Sequence, residues 1–357
     1  MKFAYFITSA GAALAYPGIS NLIAELAKRQ GAPTPPPVMI GDLAQRATTP
    51  VGNQVKNCLL GTGPCQNLTP KARVSMNYSS DKHSHHLQTY VTPPLGSLGC
   101  LQDTCCVWNY VQADLVKMFT NADGSCNAAA RTAVRLGFHD AGAWSTSSGA
   151  GGADGSLVLS PDEINRSENN GLQNIRDQAL ALIAKYAVWG VGQLIWHNSC
   201  TMLQPSLTSD PTGLLPNTNS PAEQLIELFG NKTINFKDLI ALIGAHTTAQ
   251  QFFVDTTKAG QPLDSTPGVW DVAFYSEVLT PTPPSGVFRL PSDQALASDP
   301  ETNPGFGVFS DPTSGQANWN AAYATAYVRL SLLGVNNINK LTDCTKVLPN
   351  PITTFPK

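Results

Sequence analysis

Apolar residues recur at intervals of three and four positions over most of the chain beyond about residue 99, and polar loops separate these stretches. Such spacing is typical of helices that bury one face. No clear run of alternating apolar and polar residues predicts a strand, and the sequence contains no internal repeat. The pattern therefore predicts a mainly α fold with long loops, where functional residues are often found. Seven helices are predicted, at 107–119, 128–138, 172–187, 222–229, 236–245, 269–279 and 317–333.

The N-terminal end carries a continuous apolar run instead of apolar residues at helical spacing. Lys2 precedes an apolar run over 3–14 that ends in small residues around Ala15, which is typical of a cleaved signal peptide. A buried N-terminal helix is the alternative. The run is too short to span a bilayer, so we expect a secreted chain with a signal peptide at 1–15 and no membrane partner. A pro-segment could extend to residue 29.

The remaining N-terminal region lacks a helical pattern. Residues 30–98 contain many Pro, Gly, Ser and Thr residues and show little periodicity, so they predict an N-terminal extension. Residues 349–357 are expected to form a C-terminal tail. One helical domain then remains at 99–348, in place of the two domains that a length of 357 residues would allow.

The composition and net charge bear on which kinds of molecule the chain could bind. Apolar residues make up 42% of the chain, which is enough for a substantial core, whereas charged residues make up only 13%. The 25 acidic and 22 basic side chains give a net charge of −3, and without a basic excess we expect no nucleic-acid partner. We expect a monomer with a weakly charged surface.

The cysteines and the glycosylation sequons fit an exported protein. The eight cysteines form an even set, as in disulfide-bonded secreted proteins. Asn-x-Ser/Thr sequons begin at Asn67, Asn77, Asn165 and Asn231.

The segment that begins at Arg135 carries the strongest chemical signal. Arg135 and His139 are four residues apart on a predicted helix, so they share one face. Asp140 follows, where that helix is expected to end. Further along, Gly152, Asp154 and Ser156 can offer a carbonyl, a carboxylate and a hydroxyl oxygen, which together with Asp140 suit Ca²⁺. By itself, this loop could also be a glycine-rich turn that caps a helix.

Arg-x-x-Phe-His-Asp followed by Gly-x-Asp-x-Ser resembles the distal side of secreted fungal class II haem peroxidases. The resemblance implies a plant/fungal haem peroxidase fold, in which distal and proximal helical halves sandwich the haem. It implies that His139 is the acid–base catalyst, that Arg135 stabilises the charge that develops on peroxide, and that Phe138 lies over the haem plane. The segment 163–169 also matches the family: Asn169 would hydrogen-bond His139, and Glu163 would support that network.

A second motif follows the apolar helix 236–245, which ends in His246-Thr247. A lone histidine there would more often be a core residue, but the resemblance implies that His246 is the axial ligand of the haem iron. Asp293 would then bind the outer nitrogen of His246, with Asp299 as the alternative. The resemblance also implies a second Ca²⁺ site, with Thr247, Asp264, Thr266, the carbonyl of Val269, and Asp271 as ligands.

The family resemblance extends to cofactors and disulfides. It implies non-covalent haem b and two Ca²⁺ ions, and no Cys-x-x-Cys-His motif for covalent haem attachment occurs. It also implies three disulfides, with a fourth local pair left over. These pairs are Cys100–Cys106, Cys105–Cys344 and Cys126–Cys200, with Cys58–Cys65 remaining.

Several specialised substrate sites of the family are missing from this sequence. Manganese-oxidising members carry acidic residues where this chain has Ala128, Thr132 and Phe252, and lignin-type members carry a surface tryptophan where this chain has Ala241. Trp144 and Trp270 could relay electrons, or could be packing residues. We therefore expect H₂O₂ and small phenolic or dye-like donors as substrates, with the donors oxidised at the haem edge.

One stretch departs from the family. Residues 188–213 are shorter than usual and lack the expected Pro-Arg and Gly-Arg pairs. Two hypotheses follow: an active peroxidase, or an inactive or altered haem-binding protein stabilised by Ca²⁺ and disulfides. A Ca²⁺-dependent hydrolase is a third and weaker idea, because neither a nucleophile elbow nor paired catalytic carboxylates are found.

Overall fold

The computed structural model describes residues 37–65, 90–191 and 208–348. Within these ranges the secondary structure is helical, and extended pairing is limited to two isolated bridges, Thr120 with Cys126 and Gln250 with Pro262. The prediction of a mainly α fold is confirmed. The expected signal peptide, the sequons at Asn67 and Asn77, most of 188–213 and the C-terminal tail lie outside the described residues.

The described α-helices are numbered here in chain order, and short 3₁₀ turns connect several of them. They are α1 (Pro50–Leu59), α2 (Leu98–Leu101), α3 (Cys106–Phe119), α4 (Ala128–Gly142), α5 (Ser156–Leu159), α6 (Gln173–Tyr186), α7 (Ala222–Gly230), α8 (Phe236–Ile243), α9 (Ala273–Leu279), α10 (Pro291–Ser298), α11 (Asn303–Phe309) and α12 (Gly315–Leu330). All seven predicted helices are present, with shifted ends.

Two of the shifts have a clear physical reason. Helix α4 continues to Gly142, so Asp140 lies inside its last turns and not after its end, because the carboxylate finds its partners in a later loop. Helix α9 begins at Ala273 instead of 269, because Asp271 accepts the Ala273 N–H at 2.9 Å and fixes the preceding loop. Helices α10 and α11 were not predicted, since both begin with a proline in the first turn and are short.

The helices bury two main apolar clusters. Helices α3 to α6 surround one cluster, which includes Leu136, Leu157, Leu172 and Ile175. The second and larger cluster is formed mainly by α7 to α12, and α12 packs along α8. The candidate catalytic helix α4 and the candidate ligand helix α8 are thus each anchored in a core.

The helical body begins earlier in the sequence than residue 99. Ile40, Leu43 and Leu59 are buried in the larger cluster, and α1 packs against α12. The carboxylate of Asp42 accepts the N–H groups of Ile338 and Asn339 at 2.9 and 3.0 Å. The described part of the predicted extension is therefore built into the fold, because its few apolar residues are buried there.

Three of the four expected disulfides are present. They join Cys58 to Cys65, Cys100 to Cys106, and Cys105 to Cys344, and the last closes a separation of 239 residues. The fourth expected pair, Cys126–Cys200, includes a residue outside the described ranges and stays a prediction. Among the described residues, no helix has both the length and the apolar character needed to cross a membrane.

Candidate active site

Helix α4 carries Phe138 and His139, which the family resemblance assigns to the distal side of the site. Asn127 caps the start of this helix by accepting the Ala130 N–H at 3.0 Å, as polar residues at this position commonly do. The Phe138 ring stands edge-on to His139 at 5.7 Å between centroids and is stacked on Phe229 at 6.2 Å. The orientation of the His139 ring is therefore constrained on one side by an aromatic side chain.

Hydrogen bonds determine which nitrogen of His139 carries its proton. The Asn169 side-chain nitrogen donates to the backbone carbonyl of Glu163 at 2.8 Å, so its Oδ1 is the atom that faces Nδ1 of His139 at 2.9 Å. Nδ1 must then be the donor, and Nε2 carries the free electron pair. The expected contact between Asn169 and His139 is present, and it presents Nε2 as a base.

Arg135 approaches the same nitrogen. Its Nε–H donates to Nε2 of His139 at 3.2 Å, while its two Nη groups donate to the carbonyls of Glu168 at 2.9 Å and Asn170 at 2.7 Å. Burial, and secondly the positive charge of Arg135, lower the pKa of His139 to about 3. His139 is therefore neutral at neutral pH, as a base that must take a proton requires.

Glu163 supports the His139 network through its backbone carbonyl and not through its carboxylate. Its backbone carbonyl holds Asn169, whereas its carboxylate accepts the backbone N–H of Asp210 at 2.9 Å. Burial raises the pKa of the Glu163 carboxyl group. Glu163 thus links the histidine network to the segment near residue 210.

The expected distal Ca²⁺ residues surround the turn that follows α4. The two carboxylate oxygens of Asp140 accept the N–H groups of Gly155 at 2.9 Å and Leu157 at 3.1 Å, and Asp154 accepts the Ser156 N–H at 3.0 Å. Burial, followed by repulsion from Asp140, raises the pKa of Asp154 to about 6. A divalent cation beside these two carboxylates would relieve that repulsion.

Two further observations fit a cation at this turn. The buried hydroxyl of Ser156 has no hydrogen-bond partner of normal geometry. Gly152 has a φ of +111°, and a Cβ atom there would lie 2.2 Å from the carbonyl oxygen of Leu333, so only glycine fits. The backbone of Gly152 can therefore pass close to Leu333, and its carbonyl oxygen is available to a cation at this turn.

Asp210, which the sequence did not predict as a site residue, belongs to the same cluster. Its carboxylate accepts the Gly152 N–H at 3.0 Å, and its carbonyl accepts Nη2 of Arg166 at 2.6 Å. Burial, followed by repulsion from Asp154, raises the pKa of Asp210 to about 8. In the sequence, the only signal for this role is a single aspartate within 188–213, the stretch that departs from the family. The hydrogen bonds of Asp210 attach the described end of that stretch to the distal site.

On the other side of the site, α8 ends at Ile243 and a 3₁₀ turn, Gly244–Thr248, carries His246. A Cβ atom on Gly244 would lie 2.3 Å from Nε1 of Trp319 and 2.4 Å from the hydroxyl oxygen of Tyr275. The missing side chain at Gly244 therefore lets the turn pack against these two aromatic residues, which fixes the position of His246.

The imidazole of His246 is bound through Nδ1. This nitrogen lies 3.1 and 3.0 Å from the two oxygens of Asp293, a carboxylate that is itself buried. Burial acts to lower the pKa of His246, but the Asp293 charge outweighs it and raises that pKa. Asp299, the alternative partner, instead accepts the N–H groups of Glu301 and Thr302 at the end of α10.

His246 also fits the role of a haem ligand. Its side chain lies deep in the protein beside Phe274, yet 33% of its surface is accessible, so it faces an open space. Since Nδ1 is occupied by Asp293, Nε2 is the nitrogen that remains for a metal. The residues present therefore fit a haem held by one histidine.

The expected proximal Ca²⁺ residues also converge. The hydroxyl of Thr247 donates to Asp264 and, at 3.2 Å, to Asp271, while that of Thr266 donates to Asp271 at 2.9 Å. The Val269 N–H donates to the Thr266 carbonyl at 2.8 Å, while the ligand role of the Val269 carbonyl stays a prediction. Burial raises the pKa of Asp264 to about 7, although hydrogen bonds from Thr247 and Thr266 oppose this.

Each expected Ca²⁺ set contains two carboxylates, with hydroxyl and carbonyl oxygens as the other ligands. No group of three or more His, Cys, Asp or Glu side chains in the described ranges could hold a metal ion, so both Ca²⁺ sites stay predictions. Oxygen ligands of mixed type suit Ca²⁺ better than a transition metal.

The structure describes three positions at which specialised members of the family carry acidic residues or a tryptophan: Ala128, Thr132 and Ala241. The hydroxyl of Thr132 donates to the carbonyl of Ala128 at 2.8 Å, so the Thr132 side chain is hydrogen-bonded within α4. Ala241 is fully buried, and its carbonyl accepts Nε1 of Trp319 at 2.9 Å. Trp270 is buried and stacked on Trp319 at 4.5 Å, in agreement with a packing role.

Comparison with known proteins agrees with this geometry. The model of the family described as "Peroxidase" matches residues 198–311. The chain is 31% identical to ligninase C from Trametes versicolor over 288 residues, which cover 69% of this chain and 76% of that protein. It is 29% identical over 300 residues to a peroxidase from Arthromyces ramosus, covering 74% of this chain and 80% of that one. From the similarity and the two hydrogen-bonded histidines together, we conclude that the chain belongs to the peroxidase family, among the fungal class II haem peroxidases, and is an oxidoreductase that acts on H₂O₂.

Proposed function

We propose that this protein is a secreted, monomeric haem b peroxidase with two Ca²⁺ ions, and that it oxidises small phenolic or dye-like donors by one-electron steps at the haem edge. One observation carries the proposal: two histidines, one on α4 and one in the 3₁₀ turn after α8, each have Nδ1 fixed by a side-chain partner, which leaves Nε2 for the site. His139 is fixed by Asn169, and His246 by Asp293. Neither a nucleic acid nor a membrane is expected as a partner.

His246 would hold the haem iron through Nε2. When bound, haem supplies the iron and the macrocycle that exchange electrons with peroxide and with the donor. Asp293 accepts the Nδ1–H of His246, which makes the imidazole a stronger ligand and fixes its ring.

His139 would move the proton. Its Nε2 accepts a proton from one oxygen of H₂O₂ and returns it to the other oxygen, which leaves as water. The fixed charge of Arg135 stabilises the negative charge that develops as the O–O bond breaks. In the present arrangement Nε–H of Arg135 occupies Nε2 of His139, so peroxide must displace this bond when it binds.

Oxidation of the donors supplies the electrons and protons that the reduction of H₂O₂ consumes. Each H₂O₂ accepts two electrons and two protons and yields two water molecules, while two phenol molecules each lose one electron and one proton. Small donors are favoured because Ala128, Thr132 and Phe252 offer no carboxylate for Mn²⁺ and Ala241 is buried. The N-terminal apolar run and the disulfides support secretion.

An absorption spectrum of the purified secreted protein, before and after addition of H₂O₂, tests the proposal. We expect a Soret band and peroxide-dependent oxidation of a phenolic dye. Bound haem without turnover would support the altered haem-binding protein instead, and absence of haem would refute the role of His246. The similarity to proteins named as peroxidases favours turnover.

Removal of Ca²⁺ should destabilise the fold. Without the ion, burial and the charges of Asp154, Glu163 and Asp140 disfavour the ionised form of Asp210. A site at 100 times its Kd stabilises by about 2.7 kcal/mol, which corresponds to a Tm shift of about 5–10 °C in a domain of this size. Calorimetry with and without a chelator measures this difference.

A pair of variants assigns the effect to the distal turn. Asp154→Asn should lower the Tm in Ca²⁺ and reduce the response to the chelator, whereas Asp162→Asn, at an exposed position nearby, should change neither. An unchanged Tm after exhaustive chelation would contradict both Ca²⁺ sites.

A further inference from the structure

The turn that follows α4 holds one buried carboxylate more than the family resemblance assigns to it. Asp140 and Asp154 are the expected carboxylate ligands of the distal Ca²⁺ site. Asp210 lies against the same turn but comes from 188–213, the stretch that departs from the family, and only 3% of the residue is exposed. Its buried charge therefore calls for a role that the expected ligand set does not supply.

Three hydrogen bonds fix Asp210 at this place. Its carboxylate accepts the Gly152 N–H at 3.0 Å, its own N–H donates to the Glu163 carboxylate at 2.9 Å, and its carbonyl accepts Nη2 of Arg166 at 2.6 Å. A Cβ atom on Gly151 would lie 3.0 Å from Cγ of Asp210, so the carboxylate lies directly against the backbone of the turn. Because Gly152 is also a predicted carbonyl ligand, Asp210 holds the residue that would bind the cation.

The charges next to Asp210 are mainly negative. Within the described ranges, neither Asp154 nor Asp210 forms an ion pair with a basic side chain. Burial, followed by the charge of Asp154, raises the pKa of Asp210, and burial followed by the charge of Asp140 raises the pKa of Asp154. A cation among these carboxylates would stabilise their ionised forms together.

A separate observation at the same turn also indicates a cation. Ser156 is fully buried, and its hydroxyl oxygen has no hydrogen-bond partner of normal geometry. Its N–H donates to the Asp154 carboxylate at 3.0 Å, which places the hydroxyl beside that charge. A buried hydroxyl without a partner is unfavourable, whereas Ca²⁺ takes such an oxygen as a ligand.

Asp210 is suited to act from outside the set of ligands. No group of three or more His, Cys, Asp or Glu side chains in the described ranges could hold a metal ion, so Asp210 does not join Asp140 and Asp154 as a third carboxylate ligand. Groups that hold the ligands of a metal still change its binding, and loss of such a group typically lowers metal affinity by about 10–100-fold.

We propose that Asp210 is an outer carboxylate of the distal Ca²⁺ site, which holds the Gly152 backbone, adds negative charge beside the ligands and thereby raises the affinity of the site for Ca²⁺. The inference rests on the Ca²⁺ sites of the proposed function and adds a residue that the family resemblance does not assign. The described end of 188–213 then takes part in cation binding and does not leave the distal side incomplete.

The test measures Ca²⁺ binding to the full-length holoenzyme by isothermal titration calorimetry, after bound Ca²⁺ has been removed. Asp210→Asn keeps the size of the side chain and an oxygen for the Gly152 N–H but loses the charge. We expect it to weaken one of the two Ca²⁺ sites by about 10–100-fold, and that site should be the one lost in Asp154→Asn. Asp210→Ala, which also loses the hydrogen bond, should bind at least as weakly, and the exposed control Asp162→Asn should match the wild type.

Thermal unfolding of the same proteins separates the charge of Asp210 from its packing. In saturating Ca²⁺, Asp210→Asn should have a lower Tm than the wild type. In excess chelator its Tm should equal or exceed that of the wild type, because a buried carboxylate among other carboxylates has been removed. An equal loss of Tm in both conditions would show a purely structural role and overturn the inference.

The binding data also separate this inference from the proposed function. Two Ca²⁺ sites in the wild type with unchanged affinities in Asp210→Asn and Asp210→Ala would refute the role of Asp210 alone. A wild-type protein that binds no Ca²⁺ at the distal turn would refute the proposed Ca²⁺ site, and the inference with it.

Discussion

Replacement of His139 by leucine is expected to slow the reaction with H₂O₂ by about 10²–10⁴-fold while haem stays bound, since a positioned general acid–base contributes about this much. Leucine fills much of the space of the imidazole but cannot accept a proton. The contacts of Asn169 with Glu163 and of Arg135 with the carbonyls at 168 and 170 do not depend on His139. The loss should therefore be chemical and not structural.

Stopped-flow absorbance in the Soret region measures this rate. An unchanged Soret band before peroxide shows that haem is retained. Asn169→Ala should slow the reaction in the same direction but by less, because the base remains while its Nδ1 partner is lost. A His139→Leu protein that reacts at the native rate would show that another group takes the proton.

Replacement of His246 by alanine is expected to remove most of the bound haem. His246 is the residue that offers a free ring nitrogen on the proximal side, and Asp293 and Phe274 hold its ring in place. Asp293→Asn should retain haem but weaken activity or binding by about 10–100-fold, as is typical when the partner of a ligating histidine is changed. The ratio of Soret to protein absorbance and the haem content of the purified proteins measure both effects.

Added imidazole provides the control for the alanine variant. If the cavity at position 246 is otherwise intact, free imidazole should restore haem binding in His246→Ala and have little effect on the wild type. A stoichiometric haem content in His246→Ala without imidazole would assign the axial ligand to a different residue.

The spacing of residues along the chain predicted the parts of the site that are built from residues close together in the sequence. Arg135 and His139 are one helical turn apart, so the helix alone brings them together. The apolar periodicity also located α4, which carries His139, and α8, which the turn with His246 follows. The partners of these histidines, Asn169 and Asp293, came from the family resemblance, because a separation of 30 or 47 residues leaves no local pattern.

The remaining features depend on tertiary contacts that a single sequence does not show. Asp210 gains its role from Gly152 and from Glu163, which are far from it in the chain. The continuation of α4 past Asp140 depends on N–H groups from residues 155 and 157. The sequence predicts an extension for the proline-rich region because Ile40 and Leu43 are too few to form a periodic pattern, although both are buried.

The two ends of the described chain are tied to each other. Asp42 binds backbone groups that are 296 and 297 residues away, and Cys105 is joined to Cys344. These are contacts of very high sequence separation, which slow folding because long loops must close before the contacts form. Because Ile338 and Cys344 are synthesised long after Asp42 and Cys105, this clasp closes only after the helices between them have left the ribosome.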